Sequence, residues 1–280
     1  MSLFWLPSAV KGFFPMHKAI GIFDSGIGGL TVLKEIVATL PDENIIYLGD
    51  TARVPYGIRS PETVTRYSFE NTQFLLSQEI KMLVVTCNTA SAISLEAVKK
   101  EFPLPVIGVL DPGARAAVAS TKKRKVGVIG TEATIGSGAY EKAIKKLAPD
   151  VTVFSLACPL FVPLVEEGWI NNDVAALVAE KYLAPLRGEG IDTLVLGCTH
   201  YPLLKSVISK VIGSEIVLID SARETAKEVA DVLAKLKWKG EGEGLRKYYV
   251  TDTPTRFEKI GKLFLGDALL RAEQVKVGGV

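Results

Sequence analysis

"MLVVTCNTASA", residues 82–92, is the unit from which the rest of the chain can be read. Met82 to Val85 are an apolar, partly β-branched run, the composition of a strand covered on both faces. The run stops at Thr86-Cys87-Asn88-Thr89, and a helix-like pattern takes over. A covered strand that turns straight into a helix is half of a βαβ unit, which implies a parallel sheet with helices on its faces. The turn also leaves a cysteine among small polar residues at the strand's carboxyl end, where parallel α/β sheets bind ligands.

The same alternation runs through most of the 280 residues. Strands are expected at 18–23, 44–50, 81–86 and 105–110, and again at 125–130, 151–156, 192–197 and 215–220. The halves correspond in detail. Ile20-Gly21-Ile22 parallels Val126-Gly127-Val128 at an offset of 106, Cys87 parallels Cys198 at 111, and Asp111 parallels Asp220 at 109. We therefore expect two similar doubly wound α/β lobes related by pseudo-twofold symmetry, with crossings near Asp111 and Asp220. The tail reads as a helix (221–237), a charged Gly-rich turn, a strand (246–251) and a last helix. It is too small to stand alone and should join the first lobe's sheet. The expected division is 17–111 plus 222–280, then 112–221, with 1–16 as a flexible extension in which Met16 is a candidate start.

Composition narrows the function. A chain of this length can hold two domains of about 100–200 residues. The net charge of +2 and a longest basic stretch of Lys122-Lys123-Arg124-Lys125 give no ground for a nucleic-acid partner. Cys87, Cys158 and Cys198 are widely spaced, without C-x-x-C, which fits reduced thiols in a cytoplasm better than disulfides or a zinc site. The apolar N-terminal stretch lacks a signal peptide's basic n-region and unbroken core. No run approaches the roughly 20 apolar residues of a membrane span.

Cys87 and Cys198 sit at equivalent strand ends of the two halves, each followed by two polar residues. If the lobes face one another, the two thiols approach one ligand in the cleft from opposite sides. Inverting a carbon centre by proton transfer needs a base on one face and an acid on the other, and a thiol with a pKa of about 8.5 can serve as either. Cys158 has no counterpart in the first half and reads as core. In "FDSGIGG" (23–29) the third glycine of a dinucleotide fingerprint is missing, and Asp24 would repel a pyrophosphate. Asp24 suits an ammonium group or a proton-orienting task, although Asp24 or Ser25 could equally cap a helix. Asp50 closes another strand, before a rigid Pro55-Tyr56-Gly57 turn whose N–H groups could hold a carboxylate. His200 is two residues past Cys198, and Glu166 or Glu167 could supply a further carboxylate. No other ligand clusters with Cys198 and His200, so no metal is expected. No motif places a lysine for pyridoxal phosphate, so no cofactor is expected either.

Six segments, "IGIFDSGIGGLTVL" (20–33), "YLGDTARVPYG" (47–57), "VVTCNTASA" (84–92), "PVIGVLDPGA" (105–114), "VGVIGTEAT" (126–134) and "LVLGCTHYPLL" (194–204), together resemble the glutamate racemases. The resemblance runs from about residue 18 to 270. It implies cofactor-independent interconversion of L- and D-glutamate, supplying D-glutamate for peptidoglycan and so for cell-wall biogenesis and cell shape. By resemblance, Cys87 takes the α-proton from D-glutamate and Cys198 takes it from L-glutamate. Asp24 assists Cys87, His200 and Glu166 assist Cys198, and Asp50 belongs near the site. Implied substrate contacts are Asp24, Ser25, Pro55, Tyr56, Gly57, Asn88, Thr89, Thr131, Thr134, Thr199 and His200. A homodimer is implied as well. Residues 1–16 lack the polar character expected of a nucleotide-activator site. A sister two-cysteine racemase acting on aspartate, a two-lobed small-molecule receptor and a protein-interaction role remain as alternatives.

Overall fold

The computed structural model describes residues 17–240, 243–266 and 271–278. The expected extension 1–16 and part of the Gly-rich turn lie outside the described residues. β1 (Ala19–Asp24), β2 (Ile45–Gly49), β3 (Ile80–Val85) and β4 (Val106–Gly108) pair in parallel in the order β2-β1-β3-β4. β5 (Lys125–Gly130), β6 (Thr152–Ala157), β7 (Thr193–Gly197) and β8 (Val217–Ile219) pair in parallel as β6-β5-β7-β8. Counted within each lobe the order is the same: second, first, third, fourth. β9 (Arg246–Val250) adds to the free edge of β2, and β10 (Ala272–Gln274) adds to β9. The short polar strand β10 was not expected, because "AEQ" carries none of the β-branched or aromatic residues that mark a strand.

Helices α1 (Leu30–Thr39), α2 (Pro61–Ser77), α3 (Asn88–Ile93) and α4 (Leu95–Glu101) follow the strands of the first lobe, and α5 (Leu110–Ser120), which follows β4, packs on β7 and β8 of the second sheet. α6 (Glu132–Gly136), α7 (Ala139–Leu147), α8 (Phe161–Glu166), α9 (Asp173–Arg187) and α10 (Lys205–Ile212) belong with the second. α11 (Ser221–Leu236) packs on both α1 and α5, and α12 (Pro254–Leu265) covers the tail. Sequence chemistry sets several starts. Ser60 accepts from the Thr63 N–H ahead of α2, with Pro61 in the first turn, and Asn172 accepts from Ala175 ahead of α9. Two expected strands are shorter than their apolar runs. α5 already begins at Leu110 with Asp111 in its first turn, and Asp220 leaves β8 to cap α11 by accepting from the Ala222 N–H at 2.9 Å.

Strand alternation sorts side chains between layers. Ile20 and Ile22 join one apolar cluster and Ala19 and Phe23 join another, on opposite faces of the first sheet. The first of these clusters continues into the second lobe through Leu194, Leu196 and Tyr201, so the lobes share core as well as a cleft. At the amino-terminal edge of the first sheet, Lys81 and Glu43 form a fully buried ion pair. The Lys81 ammonium donates to Glu43 Oε2 at 2.6 Å and to the Trp238 carbonyl at 2.9 Å, and the Gly240 N–H donates to Glu43 Oε1 at 2.7 Å. Among the described residues no helix is long and apolar enough to cross a membrane.

Candidate active site

Parallel pairing brings the carboxyl ends of β1 and β3 side by side, and with them Asp24 and Cys87. Cys87 is the N-cap of α3 and is buried. Burial pushes its thiol up to about 12, and the Asp24 carboxylate pushes the same way, against hydrogen bonds from Ser25 and the Ala90 N–H. A charge on Cys198 raises Cys87 as well, which places the two sulfurs within each other's field. Asp24 accepts from the Gly26 N–H at 3.0 Å and from the Thr86 hydroxyl at 3.2 Å. Burial raises its carboxyl, while the positive charge of His200 and these donors oppose the rise.

Across the cleft, Cys198 leaves β7 with its Sγ 3.9 Å from Nδ1 of His200. His200 Nε2 lies 3.2 Å from Glu166 Oε1, and Arg256 of α12 lies 3.6 Å from Glu166 Oε2. Burial alone would lower His200, but its hydrogen bonds to Cys198 and Glu166 prevail and raise it to about 10. Glu166 is held below the usual carboxylate range by its hydrogen bond to His200, with Arg256 adding to the effect against burial. Cys198 and Glu166 thus favour the cationic form of the imidazole, next to the sulfur on which negative charge would develop. The Phe264 ring stands edge-on to it with centroids 5.8 Å apart. A cavity of about 270 Å³, bordered by Gly26, Ile27, Glu166, Arg256 and Phe257, reaches the outer end of this relay.

The raised His200 gives a stability signature. Its folded value of about 10 lies above the ordinary 6.5, so its contribution is fully present below pH 6.5 and is lost as pH rises through about 10. Thermal melts between pH 6 and 10.5 should show wild type losing its advantage over His200→Asn as pH rises. Parallel Tm curves for the two proteins would contradict the assignment.

Next to Cys87, the two lobes meet through uncharged donors and acceptors. Thr89 of the first lobe lies 3.0 Å from Thr131 and 3.1 Å from Thr134 of the second, hydroxyl to hydroxyl. Asn88 Oδ1 accepts from the Tyr140 hydroxyl at 2.6 Å, and its Nδ2 is the one buried side-chain polar atom without a partner among the described residues. Gly57 abuts Thr131, since a Cβ there would fall 2.6 Å from the Thr131 Cβ. Such a lining can hold two carboxylates without setting a full positive charge beside each thiol.

Comparison with known proteins matches residues 20–229 to the Asp/Glu/hydantoin racemase family model. A glutamate racemase from Geobacter metallireducens is 58% identical over 262 residues, 93% of this chain and 97% of that protein. The chain belongs to this racemase family. A crystal structure of glutamate racemase from Bacillus anthracis superposes with a TM-score of 0.89 at 44% identity, covering 93% of this chain and 98% of that one. Another, from Francisella tularensis in complex with D-glutamate, gives 0.88 at 38% identity over 93% and 98%. The two doubly wound lobes are thus the racemase fold.

Within that racemase frame, several expectations change. The glycines of "FDSGIGG" make room for the site's own side chains: a Cβ on Gly28 would fall 2.3 Å from the Thr199 hydroxyl and 2.6 Å from His200 Nδ1, and one on Gly29 would fall 2.4 Å from the Thr86 hydroxyl. Asp50 was expected near the site. Its carboxylate accepts from Arg53 Nε at 2.7 and 2.9 Å, from the Thr251 hydroxyl at 2.9 Å and from the Tyr56 hydroxyl, which ties it to the Pro55–Gly57 turn. The Tyr56 hydroxyl donates to Asp50 and accepts from Asn71 at 3.0 Å, so it is engaged within the first lobe. Glu167 is exposed at the end of α8 and takes no part. Ser25 is half-buried against Cys87, while Thr199 is buried and its carbonyl accepts from Thr31 at 3.2 Å. Cys158 is buried core, and no group of three or more His, Cys, Asp or Glu among the described residues could hold a metal. Sequence reasoning missed Thr86, Arg53, Tyr140 and Arg256. Of these, Thr86 alone carried a signal, its place directly before Cys87.

Proposed function

We propose that the chain interconverts L- and D-glutamate by moving the α-proton between Cys87 and Cys198 without a cofactor. The observation that carries this reading is the pair of buried thiols at equivalent strand ends of two like-ordered lobes, each with its own ionisable partner. For L-glutamate, Cys198 as thiolate takes the α-proton, with the His200 cation beside it and Glu166 holding the imidazole. The carbanion's electrons pass into the α-carboxylate. Cys87, held as a thiol by burial and Asp24, then delivers its proton to the other face. The product is D-glutamate, and the thiols have exchanged a proton; the reverse direction reads the same steps backwards. Asp24 receives the ammonium group, and Asn88, Thr89, Thr131, Thr134 and the Gly57 backbone hold the carboxylates.

The same proposal includes lobes bounded at 17–111 plus 222–280 and 112–221, a homodimer in the cytoplasm, and D-glutamate supply to peptidoglycan. Reduced cysteines and the family resemblance support it. The test is circular dichroism of L- and of D-glutamate incubated with the protein, with aspartate as control and with chelator added. Ellipticity should decay to zero from both glutamates, unchanged by chelator. Decay with aspartate alone would move the assignment to that substrate, and no decay with either would defeat the reading.

A further inference from the structure

We propose that Tyr140 is a positioning residue that fixes which end of the Asn88 amide faces the substrate and thereby sets affinity for both enantiomers. This rests on the proposed substrate contact of Asn88. Tyr140 lies in the first turn of α7 in the second lobe and is 2% exposed. Its hydroxyl donates across the lobe boundary to Asn88 Oδ1 at 2.6 Å. A phenol has one proton, and giving it to Oδ1 sets Oδ1 toward Tyr140 and Nδ2 away from it. Nδ2 is the buried polar atom left without a partner, and a carboxylate oxygen would complete it. A flipped amide would turn Nδ2 toward the phenol and take Oδ1, the acceptor of the phenolic proton, away from it.

The ring has a prepared seat. A Cβ on Gly197 would fall 3.1 Å from the Tyr140 ring, and one on Gly113 would fall 3.4 Å from its hydroxyl. Gly197 immediately precedes Cys198, and Asn88 immediately follows Cys87. One side chain therefore touches both thiol-bearing turns, with its ring on one and its hydroxyl on the other. Because donor and acceptor belong to different lobes, the amide is oriented when the lobes are together.

Tyr140→Phe keeps the ring in its seat and removes the oxygen. Expected is a rise in KM of about 5- to 30-fold for both glutamates, with kcat within about threefold. The factor in kcat/KM must be the same in both directions, since the enantiomers are equal in free energy. Asn88→Ala should raise KM at least as much, and Tyr140→Phe added to it should change KM by less than about twofold. An unchanged KM in Tyr140→Phe beside a raised KM in Asn88→Ala would overturn the role of Tyr140 alone, as would multiplicative effects in the double variant. An unchanged KM in Asn88→Ala would remove the substrate contact on which the proposal rests.

Discussion

Cys87→Ala is expected to lose racemisation of both enantiomers while still exchanging the α-proton of L-glutamate with solvent. Cys198 remains to take that proton, its His200–Glu166 partners intact at 3.9 and 3.2 Å, but nothing stands on the other face to return one. The carbanion is reprotonated from the face it came from, and in D2O the recovered L-glutamate carries deuterium. Cys198→Ala should show the mirrored result, with exchange confined to D-glutamate. Positioned acid–base groups contribute about 10²–10⁴-fold each, so racemisation should fall by roughly three orders of magnitude or more in either variant. Circular dichroism reads the racemisation, and proton NMR of the Cα–H signal reads the exchange. Racemisation within tenfold of wild type in either variant would sink the two-thiol mechanism. Exchange of D-glutamate by Cys87→Ala would keep the mechanism but swap the roles of the sulfurs.

The second large effect lies at the other end of the same strand. Lys81→Met should destabilise the protein by about 3–5 kcal/mol, because it leaves Glu43 as an uncompensated buried charge. It also removes the donor to the Trp238 carbonyl, where α11 gives way to the turn leading to β9. A fall in Tm on the order of 10 °C follows for a chain of this size. Adding Glu43→Gln should recover part of the loss, since an amide oxygen can still accept from the Gly240 N–H without burying a charge. Differential scanning calorimetry of wild type and the two variants checks the order. Lys81→Met within 1 kcal/mol of wild type would show that the pair does not hold this edge of the sheet.

The eight parallel strands were legible because they are written in eight largely apolar runs in two matching sets, as strands with covered faces must be, although β6 and β8 lie partly exposed at the edges of the second sheet. The shortening of β4 and β8 was not legible, since Leu110 and Asp220 are as consistent with a strand end as with a helix start. β10 left no trace because a three-residue edge strand needs backbone pairing more than side-chain burial. In the site, the residues that stand in one turn of sequence with a thiol were readable: Asp24 through its own strand end, Asn88 and Thr89 beside Cys87, Thr199 and His200 beside Cys198. Tyr140 and Arg256 were not. Each sits in an amphipathic helix where an aromatic or a cation is ordinary, and only the packing of α7 and α12 brings it to the cleft. The partners of Asp50 were not readable either: its position at a strand end resembles that of Asp24, but its carboxylate is held by an arginine and two hydroxyls, where Asp24 has no arginine.

The shared strand order of the two lobes bears on a problem of handedness. A site that treats L- and D-glutamate alike would ideally be its own mirror image, and a chain of L-residues cannot build one. It can build a rotation. A trigonal Cα is flat, and a twofold axis lying in its plane exchanges its two faces just as a reflection would. Duplicating one lobe and turning the copy about such an axis puts the third strand's cysteine above the carbon in one lobe and below it in the other. What the rotation does not reproduce is chemistry that drifted after duplication. The first strand of one lobe ends in Asp24, and its counterpart ends in Gly130 before Thr131, so on the proposed mechanism the two directions of one reaction run past different neighbours.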